Sequence, residues 1–359
     1  MTDRADLLLA GPRGRRLLLG LVLDPVVPGW PALAWSGGPA GHPVGRLDRD
    51  DARRSLATAV AGADLAALAR CTDPVELLPA LLGTVDAARY WQEPDDADAL
   101  LAVDDVAAEL RPVADAVAAA PASAWWATAL DPVGQSTVRW PTADLTPPST
   151  TGARTALVQW RTDTLLDEDH AVRERPADPR ANWGGHWWST PAVTDRVATT
   201  RTLPAGIATV PAPLGLLLVE DEAGWETART WPVAVPSTAR VLEITGPADW
   251  TSLVERFPLE VSASRRHDWW RVTGWAGRWA IPDWATVAEE HDGVHLTVDG
   301  YLATAGQAWP VGVPGPPVRT VLAGWDPDAT WWLTDVAGLG EPADWTRADD
   351  EPPRWSTSS

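Results

Sequence analysis

Ala118-Ala119-Ala120-Pro121-Ala122-Ser123-Ala124-Trp125-Trp126-Ala127 marks the point where the pattern of this chain changes. Upstream, 50–70 is rich in alanine and leucine, with Leu56, Val60, Leu65 and Leu68 falling roughly on one face of a helix. Thr72-Asp73-Pro74 is a helix start: either polar residue can cap, and proline suits the first turn, where its missing N–H costs nothing. This helix is predicted to run from Val75 to about Trp91. Asp95, Asp96 and Asp98 lead into a third helix, which ends in the alanine run before Pro121.

Downstream of Trp125, short apolar and β-branched runs are split by Pro, Gly and Asp, the pattern of strands and turns. Strands are predicted at 156–160, 214–219, 240–245, 259–263, 269–273, 294–298, 318–323 and 330–334. Two short helices interrupt them. One follows Thr245-Gly246-Pro247 and carries Trp250, Leu253 and Val254; the other starts at Pro282-Asp283 and carries Trp284, Val287 and Ala288. Residues 141–155 and 163–195 read as loops. The expected architecture is therefore α+β: a helical N-terminal region over 1–127, a Trp-rich α+β domain with a mainly antiparallel sheet over 128–342, and a polar, frayed tail over 343–359.

Composition narrows the function classes. With 359 residues and 45% apolar content, the chain can bury large cores. A net charge of −20 opposes nucleic acid and anionic membrane as partners. All 29 basic residues are arginine, so Schiff-base, pyridoxal-phosphate and P-loop lysines are excluded. The single cysteine, Cys71, excludes an internal disulfide framework and any cysteine-based zinc site. Arg15-Arg16 before an apolar run, with Ala32-Leu33-Ala34 beyond it, imitates a secretion signal. Asp3 and Asp6 acidify the leader, and Asp24 ends the run early, so the expected location is cytoplasmic. No apolar run is long enough to span a bilayer.

The aromatic set is lopsided: 24 tryptophans against two tyrosines and one phenylalanine. In such a composition tryptophan fills cores, and Asn182, Tyr90, Tyr301 and Phe257 stand out as residues held against the bias. Four Trp-Trp pairs occur, at 125–126, 187–188, 269–270 and 331–332. In a strand, adjacent tryptophans point to opposite faces, leaving one of each pair free for contact with a ligand or a protein.

Two stretches carry the candidate chemistry. Ser264-Arg265-Arg266-His267-Asp268-Trp269-Trp270-Arg271 gathers arginine beside indole in an acidic chain, and read as a strand it puts Trp269 and Arg271 on one face. Arginine beside an indole suits a phosphate, a carboxylate or a stacked base. Asn182-Trp183-Gly184-Gly185-His186-Trp187-Trp188 reads as a glycine turn in a long loop, before a short strand. His291 and His295 have the spacing of a zinc pair, but Gly293 reads as a turn into a strand rather than the helix such a pair needs. No metal and no cofactor are expected.

The candidate ligand-binding residues are Asn182, His186, Trp187, Arg265, Arg266, Trp269, Arg271, His295 and Tyr301. The expected function is a soluble binding or interaction protein that uses a Trp/Arg-rich face of the C-terminal domain toward a protein partner or a small anionic ligand. The alternative is an enzyme acting on a nucleotide or carbohydrate, with His186, His267, His295 or a carboxylate supplying acid–base chemistry.

Overall fold

The alanine-rich N-terminal third is helical, as its spacing demands. A computed structural model describes residues 3–23, 49–141, 145–191, 196–203, 211–221, 224–336, 338–348 and 354–357. The imitation cleavage site Ala32-Leu33-Ala34 lies outside the described residues. The helices of this third are α1 (Arg4–Ala10), α2 (Pro12–Val22), α3 (Arg49–Gly62), α4 (Leu65–Arg70), α5 (Pro74–Asp86), α6 (Asp96–Leu101), α7 (Asp104–Ala107) and α8 (Arg111–Ala119), closed by a 3₁₀ turn over Pro121–Ala127. Short aspartates start them: Asp64 accepts from the Ala67 amide at 2.8 Å, Asp73 from Val75 at 3.0 Å and Asp95 from Asp98 at 2.9 Å. The Asp64 cap splits the single helix expected over 50–70 into α3 and α4.

Beyond Trp126 the chain forms β1 (Ser136–Arg139), α9 (Ala153–Glu174), β2 (Ala198–Thr200), β3 (Thr202–Leu203), β4 (Ala212–Pro213), β5 (Thr227–Ala234) and β6 (Val241–Ile244). Next come α10 (Pro247–Arg256), β7 (Pro258–Glu260), α11 (Arg266–Thr273), β8 (Arg278–Pro282), α12 (Trp284–Glu290), β9 (Gly293–Leu296) and α13 (Val298–Thr304). The chain closes with β10 (Trp309–Val311), β11 (Val318–Thr320), β12 (Ala329–Trp332), β13 (Gly338–Leu339), β14 (Ala343–Ala348) and β15 (Arg354–Thr357). The large sheet runs β15-β14-β5-β1-β2-β12-β9-β6, with β13 also on β5; a second sheet runs β10-β11-β8-β7. Pairing is mostly antiparallel, the exceptions being β6 with β9 and β8 with β11. The fold is α+β: a helical N-terminal region, then a mostly antiparallel sheet region with short helices.

Four expectations change. Residues 156–160 and all of 163–174 belong to α9, a helix of 22 residues, not to a strand and a loop. Residues 269–273 lie in α11, so Trp269 and Arg271 leave the helix on opposite sides. The run 214–219 begins as a 3₁₀ turn after β4 rather than as a strand. The expected frayed tail supplies β14 and β15, which bury Trp345 and Trp355.

Many of the tryptophans are core, and several of their N–H groups find acceptors, whereas those of Trp250 and Trp279 are buried without one. Trp284 donates to the Ser189 carbonyl at 3.0 Å, Trp332 to Thr199 Oγ1 at 3.0 Å and Trp345 to Thr230 Oγ1 at 2.9 Å. The 331–332 pair splits across its strand as expected, with Trp332 buried and Trp331 half-buried. Every residue of α13 is buried, with α1 and α2 packed on it. Gly11, between α1 and α2, makes this approach possible: a Cβ there would stand 2.5 Å from the Ala303 carbonyl oxygen.

Candidate functional site

The Asn182–Trp188 stretch is pinned across α11. Asp268 accepts from the Gly185 amide at 3.0 Å and pairs with Arg271 at 2.7 Å. Arg271 in turn donates to the carbonyls of Trp183 and, at 3.2 Å, Trp91. Trp269 is fully buried, and its indole donates to the Trp187 carbonyl at 2.7 Å. Arg265 is also buried and donates to the Trp188 carbonyl at 3.3 Å. Arg266 is half-buried and donates to the Pro176 carbonyl at 2.7 Å. His186 Nδ1 sits 2.6 Å from Asp167 of α9; burial and the Arg265 charge nonetheless hold this histidine below its usual range. No strand follows Gly185; side-chain bonds to backbone fix this segment instead. Seven sequence candidates, Asn182, His186, Trp187, Arg265, Arg266, Trp269 and Arg271, thus gather on or around α11, with Asn182 itself exposed.

From Trp187 the contacts continue to a second group. The Tyr90 ring lies 6.3 Å from the Trp187 ring, and its hydroxyl lies 3.4 Å from that of Tyr301. These are the only two tyrosines in the chain, 211 positions apart, and both are buried. The Glu220 carboxyl faces both hydroxyls and accepts from the Trp325 amide at 3.1 Å. Burial, reinforced by the neighbouring Asp326 charge, pushes Glu220 up to about 8. Arg13 completes the group. It is ion-paired with Asp98, donates to the Thr84 carbonyl at 3.1 Å and is held fully charged by Asp98 although burial opposes the charge.

Arg13 and Tyr90 also form part of the wall of a cleft of about 370 Å³ between the helical region and the second sheet. Arg15, Arg89, Gln92, Thr273, Gln307 and Arg319 line it as well. Most of its charge is matched. Arg13 and Arg16 share Asp98, Arg15 faces Asp104 at 3.5 Å, and Arg89 pairs with Asp221 at 3.0 Å. Arg319 differs. Its guanidinium carbon lies 4.2 Å from the Trp275 ring centroid, and it donates to the Ala308 carbonyl at 3.4 Å. Among the described residues it has no carboxylate partner.

His295 stands apart from all of this. It is buried on β9, with Nδ1 2.6 Å from Glu243 of β6 and Nε2 3.5 Å from Asp328. Asp328 also accepts from Arg201 Nε at 2.7 Å. Burial opposes the imidazolium, but Asp328 and Glu243 outweigh it and raise its pKa. His291 ends α12 rather than turning toward His295, and no metal-ligand cluster occurs among the described residues.

None of the nine sequence candidates lines the cleft. The lining comes from the start of α2, the segment after α5, α6 and the start of α7, the end of α11, residues 306–308 and β11, and the local sequence of these residues carries no ligand motif. The Gly11-Pro12-Arg13-Gly14-Arg15-Arg16 stretch was the one visible signal, since its basic residues are concentrated in an acidic chain. No helix of the described residues is long and apolar enough to cross a membrane. No known family, curated protein or solved structure matches this chain.

Proposed function

We propose that this chain is a binding protein for a small anionic molecule, taken into the cleft between the helical region and the second sheet and anchored by Arg319. One observation carries the reading. The chain has 49 acidic and 29 basic side chains, and a half-buried arginine set over an indole beside a cavity has no carboxylate partner among the described residues. The cation–π contact with Trp275 and the bond to the Ala308 carbonyl hold the guanidinium at the cavity wall, where its remaining donors suit a carboxylate or a phosphate. Gln92, Gln307 and Thr273 supply neutral donors around it. An enzyme using histidine acid–base chemistry draws less support, because His186, His267 and His295 all lie outside the cleft lining.

The test is a thermal-shift and calorimetry screen against inorganic phosphate, citrate, simple dicarboxylates and sugar phosphates. A ligand at a hundred times its dissociation constant stabilises the fold by about 2.7 kcal/mol. The expected hit disappears in Arg319→Gln, whose own melting temperature stays close to that of the parent. Failure of every anion, or a hit that Arg319→Gln binds equally well, removes the proposal.

A further inference from the structure

The charges on the walls of the cleft can be matched one by one. Four arginines and four carboxylates line it, so the walls carry no net charge. Most of them are paired. Arg16, outside the lining, reaches Asp95 at 2.6 Å and Asp98 at 3.2 Å, and Asp98 also takes Arg13. Arg89 pairs with Asp221 at 3.0 Å. Arg15 faces Asp104 at 3.5 Å and directs Nε and Nη1 to the Leu9 and Leu101 carbonyls, both at 2.7 Å. Two charges of opposite sign are left over. Among the described residues Arg319 has no carboxylate partner, and Glu93, an exposed residue of the same lining, has no cation.

We propose, resting on the reading of Arg319 as the anion anchor, that the group it holds is the carboxylate of an amino acid, whose ammonium group pairs with Glu93. The balance of charge carries this choice of ligand. A simple anion would leave Glu93 unmatched in the cleft, and it would enter against the field of a chain whose net charge is −20. A simple cation would leave Arg319 unmatched. A molecule that brings both signs matches both residues and leaves the neutral walls neutral. Size and polarity agree. The cleft, at about 370 Å³, sits near the lower end of the roughly 300–1,000 Å³ of small-molecule sites. Leu101, Val272 and Ala308 add apolar wall that suits an aliphatic side chain.

A thermal-shift screen of the full chain against the twenty amino acids and 4-aminobutyrate tests this, followed by calorimetry on the best of them. Its comparison compounds are the same molecule without the amino group and the same molecule with its carboxylate converted to an amide. The amino acid should bind at least about tenfold more tightly than either. Arg319→Gln should abolish binding of the amino acid and of the plain carboxylate alike. Glu93→Gln should erase the preference, so that the amino acid falls to the level of the plain carboxylate. Because Glu93 is exposed, the melting temperature of the free variant should not move. A plain carboxylate that binds as tightly as the amino acid overturns this inference and leaves the Arg319 anion site standing. An amide that binds as tightly as the acid, or a preference that survives Glu93→Gln, overturns the assignment of the two charges. Silence from amino acids, carboxylates and phosphate together removes both the inference and the anion site.

Discussion

Gly277 holds the Arg319 site together without touching a ligand. A Cβ at this position would stand 2.4 Å from Trp275 Cζ2 and 2.6 Å from its Nε1, so the indole could not stay where it is. Gly277→Ala should therefore displace the ring on which Arg319 lies and weaken anion binding at least about tenfold. Titration calorimetry, with the melting temperature as control, checks this. Protons should also matter to stability. Glu220 is raised from 4.5 to about 8 in the fold, so between those values the native state keeps a proton that the unfolded chain has lost. Stability from this group is thus greatest in acid and falls as pH rises toward 8. His295, raised above 6.5, adds a loss of the same sign above neutrality. Urea midpoints should decline from about pH 5 to about pH 9, and Glu220→Gln should flatten the decline. A midpoint that rises over that range contradicts the assignment. At this scale the sequence was partly legible. Tyr90 and Tyr301 stood out against the composition and do meet, whereas nothing local to Arg319 distinguishes it, because its site depends on a tryptophan 44 positions away.

The helices and strands show which signals survive in one sequence. Asp73-Pro74 starts α5 as expected, since capping and proline geometry are settled within a few residues. α11 and α9 were misread for one physical reason. Each carries apolar side chains on more than one side, so neither displays the one-sided stripe that identifies a helix. The tail departs from its expected frayed state because β14 and β15 each place one tryptophan among polar neighbours, and only pairing makes them strands, β14 on β5 and β15 on β14. That pairing yields a prediction. Trp355 is fully buried and its ring lies 5.8 Å from that of Trp140. Trp355→Ala should cost about 3–5 kcal/mol, read from urea unfolding. A loss below about 1 kcal/mol would return these residues to the status of a loosely attached tail.

Across the whole molecule, one apolar cluster runs from Leu17 and Leu81 in the helical region through Trp126 to Trp250, Trp284 and Leu296 beside the sheet. The helical and sheet regions are distinct in sequence and shared in core. The seam is also polar: Arg4 of α1 donates to Asp299 of α13 at 2.7 Å and to Ser123 Oγ at 2.9 Å, and its guanidinium lies over the Trp126 ring. Removing residues 1–127 would strip α1 and α2 from α13 and leave Asp299 buried without its arginine. An unpaired buried charge and an uncovered apolar helix both act against the remaining sheet region. A fragment of residues 128–359 should therefore show no cooperative thermal transition, and the intact chain should melt in a single step by both near-ultraviolet and far-ultraviolet circular dichroism. The proposed anion site would impose the same requirement, since Arg13, Arg15 and Arg89 come from one region and Thr273 and Arg319 from the other. If the fragment instead melts cooperatively while failing to bind the anion, the cleft is a true domain boundary, and the two halves would be free to close on the ligand like a hinge.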